Sequence, residues 1–339
     1  MSKITIKDVA REAGVSIATV SNALNGSDVV QPKTRDHVLE VARKLNYIPN
    51  VNGRQLRTAQ THNIGLFVPS MTGSYYGNMA DSIHYLCKKY GYELHIFIVD
   101  EDKPLLASLQ GQSIDGAIIL FGMLSEKEKQ QLMQSRLPTV FMDQEIAADS
   151  ISSVIYESSQ HGRMAAEYLL GLGHRDLMHV FGVPHNYDSI QRLAGFEAAL
   201  REAGVPLREE NVISGRFEQA AAYRSMHRYL QEGHRLPDAV FAANDLSALG
   251  CIKALQEHGI RVPEDISIIG CDDHLLSRYV TPGLTTIRTH MEELGVEAGK
   301  EVFRLIGGGQ GKITRLPGDI IVRKSCMLRP AKAKGEDKP

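Results

Sequence analysis

The chain has 339 residues, 43% hydrophobic and 23% charged, with a net charge of −2, which suits two or three globular domains with a large core and excludes a fibrous or disordered chain. No apolar run reaches the roughly eighteen residues of a membrane helix and no signal segment opens the chain, so no membrane span and a cytoplasmic location are expected. Four scattered cysteines, Cys87, Cys251, Cys271 and Cys326, form no CxxC pair and no cluster with histidine, which argues against zinc and a disulfide framework and for buried free thiols.

The charge is unevenly spread. Residues 1–60 hold nine Lys/Arg against five Asp/Glu, a balance of +4, so the remainder carries −6. A basic head on an acidic body suits a module that meets phosphate joined to one that does not.

In the head, Thr5 and Asp8 give a capping-box-like start, the hydroxyl placed to take an orphan amide and the carboxylate lying in the first turn. Ile6, Val9, Ala10 and Ala13 follow at helical spacing. Gly14 ends this helix where a left-handed residue costs least, and Ser16 caps a second one that turns Val20, Ala23 and Leu24 inward. Two short helices broken at Gly14-Val15-Ser16 make a helix-turn-helix pattern. Ile17, Ala18, Ser21, Asn22 and Asn25 are left facing outward, a small uncharged surface that suits a DNA major groove. An ordinary helical hairpin would carry the same apolar stripes.

Pro32 sits where a third helix can begin, and Val38, Val41, Ala42 and Leu45 repeat at helical steps. Pro49 disfavours helix at Ile48 and is expected to end it. A polar linker containing a marginal helix, 50–56, comes next.

From Ile64 the rhythm becomes strand and helix in alternation. Strands are predicted at 64–68, 93–99, 116–121, 139–142, 177–181, 239–242 and 266–270, with a late one at 318–322. Helices are predicted at 79–90, 158–172, 190–203, 220–232, 246–258 and 291–305. Short apolar strands separated by amphipathic helices mean parallel sheets covered on both faces. The rhythm restarts after an irregular region at 144–153, which predicts two doubly wound parallel-sheet lobes with a cleft between them. Gly307-Gly-Gly-Gln-Gly311 reads as the turn closing the last helix, and the tail from Ala331 has no apolar anchor. The expected divisions are 1–48 for the DNA-binding head, 49–62 for the marginal helix and linker, 63–330 for the two-lobed body and 331–339 for a disordered tail.

Several motifs occur in order: Thr5-Ile-Lys-Asp-Val-Ala, Gly14-Val-Ser-Ile-Ala-Thr-Val-Ser, Leu45-Asn-Tyr-Ile-Pro-Asn, Phe241-Ala-Ala-Asn-Asp245, Ile269-Gly-Cys-Asp-Asp273 and Pro282-Gly-Leu-Thr-Thr286. With them the chain resembles the LacI/GalR family of bacterial transcription regulators from about Thr5 to about Pro330. The resemblance implies a homodimer whose heads bind a palindromic double-stranded operator and whose body is like periplasmic sugar-binding proteins.

It further implies that Ile17, Ala18 and Asn22 face base edges while Ser16, Thr19, Ser21 and Asn25 contact phosphate, as short hydroxyl and amide groups do well. Asn22 departs from the arginine of many members. Asn prefers adenine, and Ile17 with Ala18 can make only apolar contact, for instance with a thymine methyl. Residues 50–56 match the family's hinge, which makes Leu56 the wedge into the minor groove. Gly53, where alanine is usual, should cost that helix about 1 kcal/mol.

Effectors of such folds lie at the carboxyl ends of strands. Tyr75, Tyr76, Asp143, Arg192, Phe217, Asn244, Asp245, Asp272 and Asp273 fall there. Asp143, Arg192, Asn244 and Asp272 match effector-contacting positions of sugar-responsive members, with Tyr76 and Phe217 as the aromatic faces. Asp245 and Asp273 are expected to cap loops or helices. Met291 stands where several members have an aromatic, and the 99–115 connection is shorter than the family's, leaving little room for a full second helix.

No GxGxxG follows a strand, no GxxxxGK[ST] occurs, and no nucleophile elbow appears. No catalytic residue, cofactor or metal is therefore expected. The functional reading is a repressor released from its operator by a small molecule, most simply a sugar or sugar derivative. The alternatives are a regulator whose operator affinity rises with a ligand or protein corepressor, and a solute-binding protein without DNA function.

Overall fold

A computed structural model of the chain describes residues 4–47, 60–71, 74–99, 104–109, 111, 113–120 and 124–329. By internal contacts the chain divides into two units, one ending at Thr61 and the other beginning at His62.

The first unit holds α1 (Ile6–Ala13), α2 (Ile17–Leu24) and α3 (Pro32–Lys44). Asp8 turns its carboxylate back over the start of α1 and accepts from the Thr5 amide at 3.0 Å and the Thr5 hydroxyl at 2.7 Å. Gly14 closes the helix at φ 65°, and the Ser16 hydroxyl accepts the Thr19 amide at 3.1 Å to open α2. Val9, Ala10, Ala13, Val20, Ala23, Val38, Val41 and Ala42 pack as one core. The end of α3 differs from the expectation. Asn46 at φ 50° stops the helix, and the Tyr47 amide reaches back to the Ala42 carbonyl at 2.9 Å. A left-handed asparagine thus closes the last turn before Pro49 can act.

The second unit contains two six-stranded sheets, ordered β11-β5-β4-β3-β1-β2 and β12-β10-β9-β8-β6-β7. The strands are β1 (Asn63–Val68), β2 (Glu93–Ile98), β3 (Gly116–Ile119), β4 (Thr139–Phe141), β5 (Ile151–Tyr156), β6 (Leu177–Phe181), β7 (Val212–Ser214), β8 (Ala239–Ala242), β9 (Ser267–Asp272), β10 (Thr285–Arg288), β11 (Ile313–Leu316) and β12 (Asp319–Ile321). Among the described residues these strands pair with one another in parallel, except β12 with β10. The helices are α4 (Ser74–Tyr90), α5 (Leu105–Leu109), α6 (Glu126–Ser135), α7 (Ser158–Gly171), α8 (Tyr187–Glu202), α9 (Gln219–Gln231), α10 (Asp245–Glu257) and α11 (Met291–Ile306). Cores on the two faces of each sheet bury the apolar strands.

The region expected to be irregular, 144–153, runs into β5, which is buried along its whole length. Its two serines hide the apolar pattern, and both hydroxyls are used. Ser152 donates to Glu301 at 2.5 Å and Ser153 to the Ile146 carbonyl at 2.7 Å. Strands β7, β10 and β11 and helix α6 were likewise absent from the sequence-based elements. Among the described residues, the 99–115 connection holds the five-residue α5.

The chain crosses between the lobes three times: after β5 at Glu157, after β10 at Thr289–His290, and between β11 and β12 at Pro317–Gly318. The crossings are tied together, with the Glu157 amide donating to the Leu316 carbonyl at 2.9 Å and the His290 ring 2.9 Å from Asp319. Helix α11 returns to cover the first lobe by packing on α4. Gly299 lets it approach, since a Cβ there would stand 2.6 Å from Leu86.

Cys87, Cys251 and Cys271 are buried free thiols. Among the described residues no acid, histidine and cysteine group could hold a metal, and no helix is long and apolar enough to cross a membrane.

Candidate nucleic-acid interface and interlobe cleft

On α2, Val20 and Ala23 face the core while Ile17 stays 45% exposed. Ser16, Ala18 and Asn25 are exposed, and Thr19, Ser21 and Asn22 are half-buried. No residue of α2 is charged, so the outward face can approach another surface without desolvating an ion. The Ser16 and Thr19 hydroxyls lie 2.8 Å apart, and the Asn25 amide donates to the Ser21 carbonyl at 2.7 Å. These hydroxyls sit at the amino end of α2, where the helix dipole favours an anion. Leu56 and Gly53 lie outside the described residues.

In the body, the carboxyl ends of strands from both lobes converge on one guanidinium. Arg192 is 3% exposed. It donates to the Ala243 carbonyl at 2.5 Å, stands 3.7 Å from the Asp272 carboxylate, and has a buried Nε with no hydrogen-bond partner. Its place is set by glycine packing between α7 and α8. A Cβ at Gly162 would stand 1.9 Å from the Arg192 carbonyl oxygen, and one at Gly195 would stand 1.8 Å from that of Ser159. Side chains at either point would push the helices apart.

Asp272 ends β9 at φ 115° and Asp273 follows at φ 53°. Burial pushes the Asp272 carboxyl up to about 7 against the pull of Arg192. Asp273 instead serves structure, holding Arg278 at 3.2 Å, Arg288 at 2.9 Å and Arg323. Asp245 does the same: it accepts from Thr286 at 2.5 Å, Ser277 at 2.7 Å and the His274 amide at 2.7 Å. Gly270 leaves room for that carboxylate, since a Cβ there would be 2.2 Å from it.

Asn244 caps α10 by accepting the Ser247 amide at 3.0 Å and donates to the Phe217 carbonyl at 3.0 Å. Phe217, at φ 58°, is thereby fixed, with its ring against Gly182, where a Cβ would be 2.4 Å away. Left-handed backbone at Arg216, Phe217, Asp272, Asp273 and His290 concentrates conformational cost around the cleft, as binding sites often do.

From the first lobe come Tyr75 and Tyr76, edge to face at 5.2 Å, and Asp143, buried at the end of β4. Two residues beyond Asp143, Glu145 accepts from the Tyr187 hydroxyl of α8 at 2.9 Å and also pairs with Arg315. One hydrogen bond therefore bridges the lobes at the cleft's edge.

The geometry adds residues not selected from the sequence. Asp188, one helical turn before Arg192, is buried and accepts from Ser158 at 2.6 Å. Burial pushes its carboxyl up while Arg192 pulls it down. The Tyr75 phenol is raised first by burial and then by Tyr156, Asp188 and Asp272, which places it among carboxylates of the other lobe. Both ring nitrogens of His161 are buried without hydrogen-bond partners, and the buried Tyr156 and Thr289 hydroxyls face each other. Burial and the Arg192 charge press His161 down to about 3. The i, i+4 spacing of Asp188 and Arg192 was the available sequence signal.

Residues 5–50 match the family model described as bacterial regulatory proteins, lacI family, and residues 166–326 match a periplasmic binding protein-like domain. The chain is 37% identical over 297 residues to the HTH-type transcriptional repressor PurR of Photorhabdus laumondii, covering 86% of this chain and 87% of that protein. It is 33% identical over 328 residues to the PurR repressor of Histophilus somni, covering 95% and 98%. Among solved structures it resembles the lac repressor dimer bound to operator and the anti-inducer ONPF, with a TM-score of 0.81 and 27% identity over 96% of this chain and all of that one. It also resembles the regulator CelR in complex with cellobiose, with a TM-score of 0.70 and 27% identity over 95% of this chain and all of that one.

Proposed function

The chain belongs to the LacI family of bacterial regulatory proteins and is a sequence-specific DNA-binding transcription regulator, and from that premise we propose how it is controlled. Two copies hold a near-palindromic operator in the cytoplasm, and a small polar molecule, a carbohydrate or carbohydrate derivative, enters the cleft and releases them. The observation that carries this reading is the buried Arg192 standing between Asp188 and Asp272 with Nε unpartnered, in a cleft whose walls come from both lobes.

At the operator, Ser16, Thr19, Ser21 and Asn25 meet phosphate, Ile17, Ala18 and Asn22 meet base edges, and Leu56 wedges the minor groove. In the cleft, Tyr76 and Phe217 supply apolar faces. Arg192 donates, Asp143 and Asp272 accept, and Asn244 holds Phe217 while offering its remaining N–H. Apolar side chains left exposed on each lobe support pairing of two copies: Tyr85, Ile96 and Ile98 on the first, the last two on the edge strand β2, and Leu275, Leu276 and Tyr279 on the second. An uncovered apolar edge is a surface proteins ordinarily hide.

Ligand acts by differential affinity for two arrangements of the lobes. The test is operator affinity of the full chain at fixed salt, with and without a panel of small polar molecules. A fall in affinity with one ligand supports release, a rise replaces it with corepression, and indifference to every ligand refutes small-molecule control. Selection from random duplexes should give half-sites that lack the guanine an arginine at position 22 would read. Recovery of guanine-dependent half-sites refutes that assignment.

A further inference from the structure

We propose that the effector carries a protonated amino group, held by Asp188 and Asp272 beside the Tyr75 ring. The inference rests on the cleft reading above and deepens it to a chemical class. Among the described residues Arg192 is the sole cation acting on either carboxyl, so the pair faces a single guanidinium with one positive charge too few.

Hydrogen bonding is equally unbalanced. Asp188 has one donor, Ser158. Among the described residues none donates to the Asp272 carboxylate, and the nearest guanidinium nitrogen is 3.7 Å away. Asp188 is buried and the Asp272 side chain keeps 18% of its surface, and carboxylates so far withdrawn from water either take up protons or require a partner. The burial-driven rise at both acids is the sign of that deficit.

The other groups facing the pair do not relieve it. Asp245 adds negative charge within range of Asp272, and Tyr75 and Tyr156 are phenols whose burial keeps them neutral. Cys271 is a buried thiol pushed upward, and His161 is buried neutral. The paired rings of Tyr75 and Tyr76 add π faces that favour a cation.

A neutral polyol would supply hydrogen bonds and leave the charge uncompensated. An anion would meet two carboxylates. A primary ammonium brings three N–H donors and the missing charge together, and leaves Arg192 Nε for an oxygen elsewhere on the ligand.

The test uses the full-length chain and two sets of probes that share a skeleton and differ in charge. These are glucosamine, glucose and glucuronate, and putrescine, 1,4-butanediol and succinate. In calorimetric titration at pH 7.5 one amine should bind about tenfold or more tighter than its neutral counterpart, and the anions should not bind. Asp188→Asn keeps the Ser158 contact and should cost the amine about tenfold while changing neutral binding little. Asp272→Asn provides a second variant should the first fail to fold. Failure of both amines to bind overturns the proposal. Neutral probes binding as tightly as the amines, with loss on Arg192→Ala, overturns the amine and leaves the cleft standing. An amine whose affinity is unmoved in both aspartate variants binds elsewhere and overturns the amine and the cleft together.

Discussion

The Gly162 Cα hydrogen on α7 faces α8 and fills the room up to the Arg192 carbonyl oxygen, which a Cβ would approach to 1.9 Å. Gly162→Ala must therefore lift α8 and the Arg192 guanidinium with it. The expected outcome is a loss of about 1–3 kcal/mol or more in stability and a weakened ligand response. Urea unfolding and ligand titration check the two effects, and unchanged values for both would contradict the packing.

Removing the carboxylate at Asp272 should have opposite weight at different pH. Its folded value of about 7 lies above the ordinary carboxylate range, so the folded protein binds more protons than the unfolded chain between about pH 4 and 7, and the parent loses stability as pH rises through that window. Asp272→Asn escapes this loss. Its melting temperature relative to the parent should be more favourable at pH 8 than at pH 5, with each pKa unit worth about 1.4 kcal/mol. A pH-independent difference would refute the raised value.

The Tyr187 hydroxyl bridges to Glu145 at 2.9 Å, from one lobe to the other. A bond present only when the lobes lie together acts on closure rather than on folding. Tyr187→Phe should weaken ligand binding by roughly three- to tenfold, the equivalent of about 0.5–1.5 kcal/mol, with the unfolding midpoint nearly unmoved. Equal effects on both quantities would make it an ordinary structural contact.

On α2 two substitutions should separate grip from reading. Ser16→Ala removes the cap on Thr19 and should cost about 1 kcal/mol of helix stability, weakening specific and random duplexes alike. Asn22→Ala should relax discrimination at one base position by about 1–3 kcal/mol and leave random-sequence affinity unchanged. Binding to a set of single-base operator variants distinguishes the two patterns.

The alternation of apolar strands and helices was legible because β1, β3 and β8 bury nearly every residue and so read as unbroken apolar runs. β5 did not, since Ser152 and Ser153 satisfy their hydroxyls with partners from Glu301 and Ile146, a tertiary bargain invisible to local pattern. β10 begins with two threonines, one of them bonded to Asp245, and escaped for the same reason. At the cleft, Asp143, Phe217, Asn244 and Asp272 lie just past or at strand ends, whereas Tyr75, Tyr76 and Arg192 stand inside α4 and α8, and Asp188, Tyr156, His161 and Thr289 gain their meaning from burial. The capping expected of Asp245 and Asp273 holds only in part: Asp245 accepts the His274 loop amide along with two hydroxyls, whereas Asp273 caps nothing and binds three arginines.

The three passages between the lobes, at Glu157, Thr289–His290 and Pro317–Gly318, make each lobe discontinuous in the chain. A hybrid that grafts the second lobe of one relative onto the first lobe of another cannot be built with a single splice. It needs three junctions, and α11, although it follows a strand of the second lobe, must travel with the first because its glycine seam is cut to fit Leu86 of α4.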